Sequence, residues 1–226
     1  MKKIGENCRS DIDAIPYTLP TYTIENGITY LHHNDNKYAL EVFGEHNLLN
    51  LMGARLICNS LGIKDEDFFR SIQSFAGASK RLETVAENSQ TKVFKDFAHS
   101  PSKLNATTNA VKSQFPDRKL VTCLELHTYS SLSAEFLKLY KGCMDAADEA
   151  YVYFSFHAIK LKRLPEMTAE QVKNAFARAD LQVYTRSDEL KHKLLSIDWK
   201  NKNLLMMSSG NFDGIDISEL GKEICP

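Results

Sequence analysis

From residue 92 onward, short apolar runs alternate with helical stretches, and this order constrains the fold more than any other feature of the chain. The candidate strands are "KVFKDF", "KLVTCLEL", "EAYVYFSF", "LQVYT" and "NLLMMSS", with helices between them starting near Pro101, Ser133, Thr168 and Ser187. Strands joined by helical crossovers run the same way, so the pattern predicts an α/β domain with a mostly parallel sheet covered by helices on both faces. Open sheets of this kind bind ligands beyond the carboxyl ends of their strands. The turns at those ends are "DFAHSP", "LELHTYSS", "FSFHAIK" and "MSSGNFDG", and three of the four carry a histidine.

The earlier part has a different texture. "PTYTIENGITYLHH" and "KYALEVFG" read as antiparallel strands, the first broken by the turn pair Asn26-Gly27. "EHNLLNLMGARLICNSLG" reads as a helix with Leu48, Leu51, Met52, Leu56 and Ile57 near one face and Gly62 as its stop. "DEDFFRSIQSF" opens with the acidic residues that suit a helix start. The change of texture falls at residues 77 to 92 and predicts two domains, 1–88 and 89–226.

At 226 residues and 43% hydrophobic, the chain can bury a sizeable core. A formal charge of −1 with interspersed signs gives no electrostatic case for nucleic acid or an anionic membrane. No apolar run reaches the length of a bilayer span, and the first residues lack the apolar core of a signal peptide. Five scattered cysteines without a Cys-x-x-Cys spacing suit reduced thiols in a cytoplasm and predict no metal site.

Four groups of polar residues compete with simpler readings. Asp96 and His99 stand where a carboxylate can accept from a ribose and an imidazole can meet a phosphate, while Asp96 or Ser100 could equally cap the helix that begins at Pro101. Asn47 and Asn50 are three apart on the first turn of a helix, and an asparagine amide matches the donor and acceptor of an adenine edge. A polar helix start is the alternative. Arg81 lies in the hinge, where a guanidinium can clamp a phosphate or simply be solvated. His127 and Tyr129 follow a strand that reads as fully buried, and "SSGNFDGI" is a glycine-bearing loop able to bring N–H groups to an anion. His157 and His192 read as structural.

Together these segments resemble the Mur ligases, the ATP-dependent enzymes that attach amino acids or peptides to UDP-N-acetylmuramate. "GEHNLLNLMGA" is similar to the family's G-x-H-N-x-x-N helix, "KRLE" to its hinge arginine and "KDFAHSP" to its D-[YF]-A-H-x-P turn. "LELHTYSSL" resembles the P-H-T-Y-S-R segment of the alanine-adding branch, and "SSGNFDGI" the S-N-G-G-F-G-G-I loop of the muropeptide-recycling branch. Ser131, Leu126 and Asp213 depart from those two patterns.

The resemblance implies a Rossmann-like carboxyl-terminal domain preceded by the end of a central ATPase domain, made of antiparallel strands plus two helices. His46, Asn47 and Asn50 would hold adenine, Asp96 the ribose and Arg81 the phosphates of ATP. His99 and Arg81 would be catalytic. His127, Tyr129, Ser208, Ser209, Gly210, Asn211 and Phe212 would line the site of the incoming amino component. On this view Asp96→Asn weakens nucleotide binding and leaves stability almost unchanged. No G-x-x-x-x-G-K-[ST] phosphate loop occurs in the sequence. The resemblance therefore implies a portion of a cytoplasmic enzyme whose magnesium ligands, amino-terminal domain and most of the central domain lie elsewhere, and which is inactive alone. The implied reaction joins UDP-N-acetylmuramate to L-alanyl-γ-D-glutamyl-meso-diaminopimelate, with L-alanine as the alternative amine. A binding module that has lost the ATPase half is the alternative of another class.

Overall fold

The computed structural model describes residues 14–79 and 81–226. They form two compact units, which divide between Ala76 and Gly77.

The first unit is built on three antiparallel strands, β1 (Tyr22–Glu25), β2 (Ile28–His33) and β3 (Asn36–Leu40), in that order. Both connections are two-residue hairpins whose central residues have positive φ: Asn26 (52°) with Gly27 (75°), and Asn34 (46°) with Asp35 (61°). That geometry matches the natural twist of paired strands, which is why these turns favour asparagine, aspartate and glycine. Helices α1 (Glu45–Ser60) and α2 (Asp65–Ile72) cover the sheet. Leu31, Leu40, Val42, Leu48, Leu51, Met52, Phe68 and Phe69 make the core. Ile57 departs from the face expected of it and is 65% exposed. Gly62, at φ 85°, ends α1 as expected. Its N–H donates to Asn59 O and that of Ile63 to Cys58 O, closing the helix's last carbonyls.

One ion pair fastens α1 to α2. Arg55 donates Nε–H and Nη2–H to the two oxygens of Asp65, at 2.7 and 2.5 Å, and Asn59 adds a third bond at 3.1 Å. The Arg55 guanidinium holds the Asp65 carboxyl down to about 2, from an ordinary 3.8. A depressed folded-state value means that the ionised pair stabilises the unit above pH 3.8, and that this contribution is lost as pH falls through about 2. Acid titration followed by circular dichroism should show an acid-sensitive step between those values. Asp65→Asn should abolish that step, and an unchanged acid profile would refute the assignment.

The second unit holds a six-stranded sheet in the order β4-β5-β9-β6-β7-β8. Its strands are β4 (Glu83–Glu87), β5 (Lys92–Asp96), β6 (Lys119–Glu125), β7 (Glu149–Tyr153), β8 (Gln182–Tyr184) and β9 (Lys202–Met207). Every pairing is parallel except β4 with β5. Strand β4 was not legible as a strand, and its pairing with β5 places the division of units before Gly77 rather than at 88/89.

The helices are α3 (Pro101–Gln114), α4 (Ala134–Leu137, continued by a tighter turn to Tyr140), α5 (Phe156–Leu161), α6 (Ala169–Phe176), α7 (Ser187–Leu195) and α8 (Ile217–Ile224). Alternate strand residues point to opposite faces. Val93, Val121, Cys123, Tyr151, Tyr153, Leu204 and Met206 meet Leu190 and Leu194 of α7 and Ile217, Leu220 and Ile224 of α8. Their neighbours Phe94, Leu120, Leu124, Val152, Leu205 and Met207 are equally buried on the other face, where α3 packs against β6 and β9. The single tryptophan, Trp199, belongs to the first of these clusters and donates Nε1–H to Leu194 O at 2.9 Å.

The described cysteines, Cys58, Cys123, Cys143 and Cys225, are free, and burial pushes the Cys123 thiol up. No helix of the described residues is long and apolar enough to cross a membrane.

Candidate functional site

Strand register puts the site residues of the second unit on one edge. Asp96 is level with Met207, Met207 with Leu124, and Glu125 with Tyr153, so β5, β9, β6 and β7 end together at their carboxyl termini. Strand β9 enters the sheet between β5 and β6, which brings the loop after Met207 between the turns after Asp96 and Glu125.

At the β5 end, Asp96 is buried and both carboxylate oxygens are engaged. Oδ2 accepts the Leu82 N–H at 2.6 Å, and Oδ1 accepts the Ala98 N–H. Asp96 therefore ties the segment after Arg81 to the turn before α3, with Leu82 in the left-handed region at φ 47°. It does not cap α3. The N-cap is Ser100, which makes no side-chain capping bond. A carboxylate has about four acceptor positions, so one acid can hold several donors at once. Arg81 is exposed, with its guanidinium 5.7 Å from the centre of the Phe97 ring.

His99 is half-buried, and its Nδ1 lies 2.9 Å from Phe97 O. A carbonyl oxygen can only accept, so Nδ1 carries the proton and the neutral ring keeps its lone pair on Nε2. The Tyr140 hydroxyl donates to His99 O and fixes the turn from beneath.

A second cluster gathers around Glu125, the last residue of β6, which is buried. Its Oε2 accepts the Ser208 hydroxyl and, at 2.8 Å, the Phe212 N–H. Its Oε1 is 3.4 Å from His127 Nδ1. Ser208 joins the two clusters, because its N–H also donates to Asp96 O at 3.0 Å and its Oγ accepts the Gly210 N–H at 2.6 Å. Gly210 is needed for the close approach: a Cβ there would stand 2.8 Å from Glu125 Oε2 and from His127 Cγ and Nδ1. Tyr153 and Ser155 point hydroxyls at Asp213 Oδ2, at 3.3 and 3.4 Å. Burial, and then the Asp213 carboxylate, push the Tyr153 phenol to about 12, so it stays a donor.

The side chains expected at this edge differ in exposure. The Phe212 side chain lines no surface: it is fully buried against Tyr153, and only its N–H faces Glu125. Its φ is 50°, in the left-handed region. Tyr129 is 64% exposed and lies under Lys162 Nζ at 5.4 Å, so its ring is turned to solvent. Ser131, in the place of the arginine, closes its own turn through Thr128 O at 3.0 Å. Ser209 Oγ is buried without a partner, and Asn211 is exposed. His157 and His192, read as structural, are also exposed.

Glu125 escaped the sequence reading. Its signal was a charge at the end of the otherwise apolar run "KLVTCLEL". Such a charge is buried only with partners.

A profile described as "Mur ligase, glutamate ligase domain" matches residues 80–210, more than half of the chain. The chain belongs to the Mur ligase family. The match spans Asp96, His99, Glu125, His127 and the start of the Ser208 loop, and ends before Phe212 and Asp213. A UDP-N-acetylmuramate–L-alanine ligase of Desulfitobacterium hafniense is 26% identical over 60% of this chain and 30% of its own length. The chain thus spans less than a third of that relative. Two solved Mur ligases share the fold. The UDP-N-acetylmuramate–alanine ligase of Thermotoga maritima superposes with a TM-score of 0.64 at 18% identity, covering 90% of this chain and 44% of that one. The murein peptide ligase of Psychrobacter arcticus does so at 0.56 and 22%, covering 88% and 43%.

The remaining nucleotide candidates lie on α1 in the first unit. Asn47 is half-buried and donates Nδ2–H to Phe43 O at 2.9 Å, which orients the amide and leaves a second N–H and Oδ1 for an adenine edge. Asn50 is exposed and His46 half-buried. These donors suit a nucleotide base. Among the described residues, no group of three or more His, Cys, Asp or Glu side chains is placed to hold a metal ion.

Proposed function

We propose that the chain is the carboxyl-terminal portion of an ATP-dependent ligase that joins UDP-N-acetylmuramate to an amino acid or peptide in the cytoplasm. The observation that carries this reading is the coincidence of the family match with one sheet edge holding Asp96, His99, His127 and the Ser208 loop. When bound, ATP would supply the phosphoryl group that activates a carboxylate. The chain's own residues would position and screen the reacting groups. Asn47 and Asn50 would meet the base, Asp96 a ribose hydroxyl and Arg81 the phosphates. His99 would offer Nε2 as an acceptor near the reacting groups, and His127 with the Ser208 loop would receive the amine. The first unit, up to Ala76, would correspond to the end of the central domain, and the second, from Gly77, to the carboxyl-terminal domain.

The D. hafniense relative favours L-alanine as the amine. The loop "SSGNFDGI" favours the recycled tripeptide L-alanyl-γ-D-glutamyl-meso-diaminopimelate, the first expectation from the sequence. A non-catalytic binding module is the reading from another class.

Phosphate release and amide formation should be assayed with ATP, magnesium, UDP-N-acetylmuramate and each amine. One arm uses this chain alone, and the other joins it to the phosphate-loop-bearing part of a relative. The joined protein is expected to form amide, and the faster amine names the substrate. The chain alone is expected to release no phosphate. Substrate-dependent release by the chain alone would overturn the reading that it is a portion of the enzyme. Failure of the joined protein with both amines would overturn the ligase reading.

A further inference from the structure

Glu125 enters none of the proposed nucleotide contacts, yet it is buried on the edge and bonded from two directions. It is 3% exposed and faces an imidazole that is 38% exposed. Two donors, the Ser208 hydroxyl and the Phe212 N–H, load Oε2 and leave Oε1 toward His127 Nδ1 at 3.4 Å. Gly210 backs onto the ring and the carboxylate, where a Cβ would come within 2.8 Å of both. The imidazole is therefore confined from behind by backbone and from one side by a carboxylate that cannot turn away. Beside them, Ser209 Oγ is buried with no partner. An orphaned hydroxyl in a loop this closely bonded marks a place where another polar group belongs.

We propose that Glu125 is a positioning residue that makes His127 a hydrogen-bond acceptor at the sheet edge, turned to the ammonium group of the incoming amino component. A carboxylate only accepts, so the nitrogen that faces it must carry a proton. The neutral ring then has N–H at Nδ1 and its lone pair at Nε2, and a second group behind a histidine commonly sets its tautomer in this way. An exposed acceptor suits a primary ammonium and disfavours a second acceptor. The ammonium as donor rests on the ligase reading above, whereas the tautomer rests on the 3.4 Å approach of Glu125 to Nδ1.

Glu125→Gln separates this role from simple support of the loop. The amide oxygen stays with Ser208 O–H and Phe212 N–H, because the reverse orientation sets an amide donor against the Phe212 N–H. The amide NH2 then faces Nδ1, which must give up its proton, and the tautomer moves to Nε2–H. The same logic explains why an aspartate behind a catalytic histidine cannot be replaced by asparagine.

The experiment is nitrogen-15 NMR of the full 226-residue chain with labelled imidazoles, above pH about 8, where histidine is neutral. The His127 signals are assigned by their loss in His127→Gln. The wild type should show protonated Nδ1 and unprotonated Nε2, and Glu125→Gln should exchange the two signals. A wild-type His127 protonated at Nε2, the form preferred by a free imidazole, would overturn the proposal whether or not the variant folds. So would an unchanged tautomer in a folded Glu125→Gln chain, with folding checked by Trp199 fluorescence. Failure of the ligase reading would appear separately, as a joined protein that forms no amide while the tautomer result stands.

Discussion

Phe212→Ala should destabilise the second unit by about 3–5 kcal/mol, the loss typical of removing a fully buried aromatic ring. The ring is 0% exposed and packs in the cluster of Tyr153, Ile215, Leu220 and Trp199. The backbone offers no relief, because alanine still has to hold φ near 50°. Function should suffer with stability, since the same residue presents its N–H to Glu125 and so holds the Ser208 loop over the edge. Trp199, the only tryptophan and a member of the same cluster, reports the transition by fluorescence in urea. The midpoint should fall with little change in slope. A loss below about 1 kcal/mol would mean that the ring is not the anchor of this loop.

Asp96→Asn should cost about 1–3 kcal/mol in the same assay, the range for leaving a buried donor unsatisfied. Each oxygen of the acid receives one backbone N–H, from Leu82 and from Ala98. Asparagine has one oxygen to offer, so its NH2 must face one of those N–H groups. Ser100, not Asp96, begins α3, so tolerance of asparagine at helix caps does not rescue the variant. This reverses the expectation from the sequence that stability is almost unchanged. Release of Leu82 should also loosen the neighbouring Arg81, and in an active ligase the nucleotide requirement should rise. A midpoint within about 0.5 kcal/mol of the wild type would show that the two N–H groups find other acceptors.

Much of the fold was legible because it is written in local patterns. The five core strands fall on "KVFKDF" through "NLLMMSS", since buried parallel strands need unbroken apolar runs. Asn26-Gly27 and Gly62 mark a turn and a helix end through their own backbone preferences. Strand β4 was missed because "ETVAE" is only partly buried and carries glutamates at both ends, as an edge strand can. Helix α5 shares the β7–β8 crossover with α6, and α8 follows the last strand, so the alternation of strands and helices required neither. The site was legible as a list of turns and not as an arrangement. His99 and Ser208 sit at the expected edge, whereas the inward turn of Phe212 and the exposure of Tyr129 depend on what packs around them.

The sequence alone determined the alternation of strands and helices, the edge on which ligands should bind and the family. Each of these follows from residue type and near spacing. Only the tertiary structure decided that β9 lies between β5 and β6, and this one placement assembles the site. It carries Ser208 across 83 residues and Phe212 across 87 to the same oxygen of Glu125. A buried carboxylate is tolerable only where such donors converge, and no local pattern records a partner that far along the chain.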